Sequence, residues 1–180
     1  MPGYAALLRG VNVGGKGKLA MEDLRKLLSA LGYAEPRTLL QSGNAVFTSR
    51  SAKPEEIARR IERALQEELG MAIRCLVRSA AELRAVIEGN PLQRVATDGS
   101  RMLALFLSAA PDAKLLSAND PTQLEPEHIR LGDRVIYQWV PEGFLKAPNV
   151  SAFVEKKWKL TVTARNWNTV TKLHAMLAGG

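Results

Sequence analysis

The sequence predicts an α+β protein built of two packed ferredoxin-like subdomains of βαββα type. The amino-terminal portion reads strand, helix, hairpin, helix, strand, which is the order of that unit, and the remainder repeats the order more loosely. With 180 residues, 46% of them hydrophobic and 24% charged, the chain can bury one or two compact cores and is no disordered polymer. Units this small are marginal alone, so the two are expected to pack against each other. Residues 1–79 would form the first subdomain. Residues 80–180 would form a second, looser α/β subdomain with a carboxy-terminal helix.

Each element has a local reason. Tyr4 to Leu8 is a short apolar run that reads as a buried strand, and a glycine-rich stretch from Gly10 to Gly17 separates it from a helix carrying Leu24, Leu27, Leu28 and Leu31. Gly32 stops that helix. Thr38 to Gln41 and Ala45 to Thr48 read as strands joined by Ser42-Gly43-Asn44, residues that tolerate positive φ. Pro54 opens the next helix with Glu55 and Glu56 complementing its dipole; Ile57, Ile61, Leu65 and Leu69 line its apolar face, and Gly70 ends it before a strand over Ala72 to Val77.

Ser79 and Glu82 form a capping-box signature for a linking helix that ends near Gly89, after which Asn90-Pro91 opens a polar loop. Met102 to Leu107 is a buried strand, Pro111 to Leu116 a short helix, and Ile129 to Leu131 pairs with Val135 to Val140 across Gly132-Asp133. Asn149 caps a helix through Trp158, and a last helix starts near Thr163 with Trp167, Val170, His174 and Leu177 on one face. The two halves share architecture without a residue-level repeat.

Lysine and arginine total 25 against 18 aspartates and glutamates, for a net charge of +7 and a sequence pI near 9.8. This balance favours an anionic partner over a cationic one, although charge does not specify a reaction. One cysteine excludes an intrachain disulfide framework and an all-cysteine zinc site. No apolar run approaches the roughly 20 residues of a membrane helix, and the start at Met1-Pro2-Gly3-Tyr4 lacks the pattern of a signal peptide. The expectation is therefore a cytoplasmic protein with no membrane partner.

Three stretches could carry function. Gly10-Val11-Asn12-Val13-Gly14-Gly15-Lys16 comes directly after a strand and fits the phosphate-binding P-loop pattern until Gly17 replaces the magnesium-ligating serine or threonine. Lys18-Leu19-Ala20 then delays the helix, so a nucleotide triphosphatase loop is rejected. What remains is an anion cradle of backbone amides flanked by Arg9, Lys16 and Lys18, or a mobile basic loop. Thr163-Ala164-Arg165-Asn166-Trp167-Asn168-Thr169 is dense in donors at a predicted helix start, with Arg165, Asn168, Thr169 and Lys172 expected on one helical face; the bland alternative is an ordinary cap above a solvated face. Gln41-Ser42-Gly43-Asn44 could offer donors from a hairpin tip, but a turn demands the same small and amide residues for backbone reasons alone, and composition favours turn chemistry. Trp158 among Lys156, Lys157 and Lys159 could stack on a base, but its spacing to Phe153 and Val154 favours a core position.

Catalytic residue types are sparse. His128 and His174 are the two histidines, His174 on an apolar helix face, and Cys75 alternates with Ile73 and Val77 and so points inward. No spacing suggests a metal site and no cofactor is implied. Glu125, Glu127 and Glu142 keep no assigned role, which leaves a carboxylate acid or base open.

Ala6-Leu7-Leu8-Arg9-Gly10-Val11-Asn12-Val13-Gly14-Gly15-Lys16, Leu40-Gln41-Ser42-Gly43-Asn44 and Thr163 to Val170 together resemble an uncharacterised bacterial family, domain of unknown function 1697. The resemblance runs nearly end to end, implies a two-subdomain α/β architecture, and carries no activity or cofactor. The chain departs from it at Phe144-Leu145-Lys146-Ala147, where a basic Arg-Ser-Lys-Leu-like stretch is expected. Together these readings predict a polar, basic cleft between the subdomains for a phosphate-bearing ligand or nucleic acid. Arg9, Lys16, Arg165 and Lys172 would contact phosphates. Asn12, Gly14, Gly15, Ser42, Gly43, Asn44, Thr163, Asn166 and Asn168 would shape the site or orient ligand and loops. The alternatives are an enzyme acting on a small anionic metabolite, and motifs that are purely structural.

Overall fold

The computed structural model describes residues 1–179. The chain divides into two compact units, one of Met1–Arg84 with the segment from Lys172 onward, the other of Ala85–Thr171. In the first unit, β1 (Gly3–Leu8), α1 (Met21–Ala30), β2 (Ala34–Leu39), β3 (Asn44–Thr48), α2 (Pro54–Leu69) and β4 (Cys75–Ser79) occur in the predicted order. The strands form an antiparallel sheet in the order β2-β3-β1-β4.

The helices cover one face of that sheet. Leu24, Leu27 and Leu28 of α1 and Ile57, Ile61 and Leu65 of α2 are buried in one cluster with Tyr4, Ala6, Leu8, Ala45, Phe47, Cys75 and Val77 from alternate strand positions. The Tyr33 and Phe47 rings stack at 4.6 Å. Cys75 is thus a small core hydrophobe, as its alternation predicts. Leu69, expected on the apolar face of α2, is instead exposed at the helix end, where Gly70 turns the chain left-handed at φ 64°.

β2 begins at Ala34, four residues before the expected Thr38. Pro36 lacks an amide donor and masks the strand, yet β2 lies at the sheet edge, where proline is tolerated, and its register shifts between Ala34 and Arg37.

The second unit repeats the plan with β5 (Met102–Leu107), α4 (Ala113–Ala118), β6 (Ile129–Gly132), β7 (Val135–Trp139), α5 (Val150–Trp158) and β8 (Val162–Asn166), in the sheet order β6-β7-β5-β8. Leu105, Leu107, Ile129, Ile136, Val150, Val154, Trp158 and Val162 form its helix-side core. Trp158 is 3% exposed and donates from Nε1 to the Asn119 carbonyl at 2.9 Å, so it is a core residue and not a stacking platform.

Two further helices each begin at the end of a strand, one after β4 and one after β8. At the start of α3 (Ala80–Glu88), the capping box forms as expected: the Ser79 amide donates to Glu82 Oε1 at 2.9 Å and the Glu82 amide to Ser79 Oγ at 3.1 Å. The last helix, α6, spans Trp167–Ala178 and does not start near Thr163. The residues before it complete the second sheet as β8, because Val162 and Ala164 alternate apolar side chains toward the core while Thr163 and Arg165 take the other face. In the first unit the end of α6 rests on the sheet: Arg37 donates to the Met176 carbonyl at 2.6 Å, and a Cβ at Gly3 would lie 2.9 Å from Leu177 Cδ2.

Candidate functional site

The glycine-rich stretch after β1 folds as a miniature hairpin finger. Asn12 N donates to Gly17 O at 2.9 Å, Val13 N to Lys16 O at 3.2 Å, and Lys16 N to Val13 O at 2.9 Å. Gly14 and Gly15 form its tip with φ of 57° and 77°, the double positive φ of a tight hairpin turn. Gly17 closes the base, since a Cβ there would sit 2.5 Å from the Gly10 carbonyl oxygen. This geometry is a further reason to reject the P-loop. The amides of residues 12, 13 and 16 are spent inside the finger, leaving those of Gly14 and Gly15 without a partner among the described residues.

Asn12 staples the finger. It sits at φ 55°, a conformation asparagine tolerates. Its Nδ2 donates to the carbonyls of Leu19 at 2.8 Å and Gln41 at 2.6 Å, and its Oδ1 accepts from the Leu19 amide at 2.9 Å. The finger is thereby joined to the turn between β2 and β3. Gly43 sits at φ 90°, and a Cβ on it would fall 2.5 Å from Val11 Cγ2 and 2.8 Å from Leu8 Cβ. Its carbonyl accepts from Leu8 N at 2.8 Å. Asn44 is fully buried and donates to Leu39 O and Ser42 Oγ, each at 2.9 Å.

The first two sequence signatures therefore meet, and their amide and glycine residues hold the loops. The charged groups facing solvent are Arg9, Lys16 and Lys18, and Gln41 and Ser42 are exposed on the turn. Nearby, Arg9 N donates to the Arg74 carbonyl at 2.9 Å, and the exposed Arg74 guanidinium pairs with Glu62 at 3.1 Å.

The third signature lies in the second unit. Thr163 and Arg165 are strand residues, 4% and 9% exposed, so the expected helical face of Arg165, Asn168, Thr169 and Lys172 does not exist. Arg165 Nη1 donates to Thr163 Oγ1 at 2.7 Å and to Ala164 O at 2.9 Å. Asn166, not Thr163, caps α6 by accepting from the Thr169 amide at 2.9 Å. Asn168 presses its side-chain amide against the place a Gly99 Cβ would take. Lys172 is exposed.

The registers of the two sheets share a likeness hidden in the sequence. β4 ends in Arg78-Ser79 and β8 in Arg165-Asn166; each arginine pairs with an alanine of the central strand, Ala5 or Ala104, and each is succeeded by a residue that caps the next helix. Arg78, at 4% exposure, is as buried as its counterpart. Arg165 thus belongs to an architectural position repeated in both units.

One further constellation is assembled only by the fold. Glu125 and His128 are joined through Oε1 and Nδ1, and both line a cavity of about 400 Å³ in the second unit with Glu142 and Lys146. Glu-x-x-His after a proline-led turn is a weak signal in one dimension; the Lys146 segment comes beside it through the hairpin of β6 and β7. A larger groove of about 490 Å³ lies between α1 and α2, with an apolar floor at Leu27 and Leu31 and mixed charge around it, and contains none of the predicted site residues. Among the described residues, no cluster of histidine, cysteine, aspartate or glutamate is arranged to hold a metal ion, and no helix is long and apolar enough to cross a membrane.

Comparison with known proteins agrees with this architecture. Search of curated proteins gives no match. Among solved structures, the conserved bacterial protein SP0830 from Streptococcus pneumoniae is similar at 25% identity with a TM-score of 0.70, over 98% of each chain. The family described as "Protein of unknown function (DUF1697)" matches residues 1–137. A match over most of the chain, on the two signatures that build the finger and its supporting turn, makes this protein a member of the DUF1697 family.

Proposed function

We propose that the protein binds a phosphate-bearing ligand through the finger of its first unit, with nucleic acid the instance favoured by the net charge of +7. The observation that carries this reading is the finger itself. A stapled hairpin holds two amides, unpartnered among the described residues, at its tip beside Lys16, with Arg9 and Lys18 exposed at its base. Backbone amides at positive φ next to exposed cations suit phosphate oxygens, and preorganisation of the finger by Asn12 lowers the entropy lost on binding.

Fluorescence anisotropy of labelled single-stranded and duplex oligonucleotides, at two salt concentrations, tests it. Affinity is expected to fall steeply with salt, and Lys16→Ala to lower both the affinity and the salt slope, the latter by about 0.7–0.9 for one lost phosphate contact. Absence of binding at low salt, or unchanged binding by Lys16→Ala, overturns the proposal.

For the third signature, the burial of Arg165 and its bonds to Thr163 and Ala164 favour a structural role. Arg165→Ala is then expected to lower stability by about 1–3 kcal/mol, the cost of breaking a buried polar network. An unchanged melting temperature counts against it.

A further inference from the structure

The cavity at Glu125 and His128 is lined by residues of the second unit alone and by none of the finger. Its backbone is well fixed. Glu125 O accepts from His128 N at 3.0 Å and from Ile129 N at 3.1 Å, while His128 O accepts from Trp139 N at 2.9 Å, anchoring the histidine to the end of β7. The facing wall begins with a turn closed by Gly143 N donating to Val140 O at 3.0 Å, and Ala147 N bonds back to Phe144 O at 3.3 Å. Lys146 is thus carried by a segment with its own internal bonds.

The Glu125 carboxylate accepts from His128 Nδ1. In a neutral ring held this way, the proton sits on Nδ1 and Nε2 is left as an acceptor. Among the described residues, no group takes up Nε2 and no ion pair engages Lys146 or Glu142. The cavity therefore offers a hydrogen-bond acceptor on an oriented ring, the Glu125 carboxylate engaged with that ring, a second carboxylate at Glu142 and the Lys146 ammonium around an apolar floor of Val140 and Ala147. About 400 Å³ is room for a small organic molecule and far more than a lone ion needs.

We propose that this cavity is a binding site for a small polyhydroxylated anion, of the size and chemistry of a sugar phosphate or sugar acid. Lys146 Nζ takes the anionic group, and His128 Nε2 and the Glu142 carboxylate accept ligand hydroxyls. Glu125 acts through His128 as a positioning residue: it fixes the tautomer and orients the ring.

Calorimetric titration of the full chain with glucose 6-phosphate, glucuronate, glucose and inorganic phosphate tests the assignment. Saturable binding of either sugar anion is expected, at least about tenfold tighter than glucose, which lacks the anion, and phosphate, which lacks the hydroxyls. Preference between the two anions distinguishes phosphate from carboxylate. Lys146→Ala and His128→Gln should each weaken binding about tenfold or more. Nitrogen-15 spectra of the imidazoles in the unmutated protein give an independent readout, with His128 Nε2 shifting on ligand addition and His174 serving as internal reference. Neither sugar anion saturating by about 10 mM, binding unaffected by Lys146→Ala, or equal shifts at both histidines overturns the proposal.

Discussion

Replacing Asn12 by alanine removes three hydrogen bonds with one substitution and leaves a left-handed backbone without the residue that tolerates it. The bond to Gln41 O lies on the exposed side of the finger, where water replaces it at little cost. The two bonds to Leu19 are partly buried, and Leu19 is 3% exposed, so each contributes about 1 kcal/mol. Alanine at the φ of 55° adds about 1 kcal/mol or more of strain. The expected loss is about 3 kcal/mol in the free energy of opening the finger. Amide hydrogen exchange reads it directly, because the Leu19 N–H loses its acceptor; at about 1.4 kcal/mol per decade, its exchange should accelerate about a hundredfold. Asn12→Gly removes the same bonds without the strain and should recover part of the loss. Leu19 exchange within about twofold of the parent in Asn12→Ala would refute the staple. Loss of oligonucleotide affinity in Asn12→Ala alongside retained Lys16 would then tie the rigidity of the finger to its binding.

Gly43→Ala is expected to destabilise by about 3 kcal/mol in urea unfolding, combining strain at φ 90° with a Cβ inside van der Waals contact of Val11 and Leu8; a loss under about 1 kcal/mol would contradict that packing. Burial pushes the Tyr137 hydroxyl up to about 12, and that hydroxyl donates to Val86 O at 2.7 Å. Because the folded value lies above the ordinary 10, stability is retained in full below pH 10 and falls by about 1.4 kcal/mol per unit from there to about pH 12. Tyr137→Phe should abolish this contribution in alkaline unfolding, and its persistence in the variant would reassign it to another group.

The ferredoxin-like order was legible because its signals are local. Pro54 at a helix start, the Ser79–Glu82 capping box, the Asn149 cap and the apolar run in Met102–Leu107 each act within a few residues. The misreadings come from tertiary context overriding local signal. Pro36 hid part of an edge strand, and the donors of Thr163 to Asn166 read as a helix start although β8 is held by its pairing with β5, a strand far earlier in the chain. The repeated arginine position surfaced only through that pairing, since Arg78 and Arg165 share no flanking sequence beyond a capping residue.

For the site, residue types alone set which side chains are available: glycines able to take positive φ, asparagines able to bridge loops, and a basic excess. Tertiary structure decided how they are used. Asn12 and Gly43 are consumed in joining the finger to the turn, Asn44 in bracing the turn itself, and Arg165 is withdrawn from solvent into a strand, which leaves Arg9, Lys16 and Lys18 as the cations able to face a ligand. Glu125, His128 and Lys146 became neighbours because the β6–β7 hairpin folds residues 125–128 back beside residues 140–147. Hydrogen-bond partners and burial are properties of pairs of segments distant along the chain, so residue type announces a capacity and the fold assigns its use.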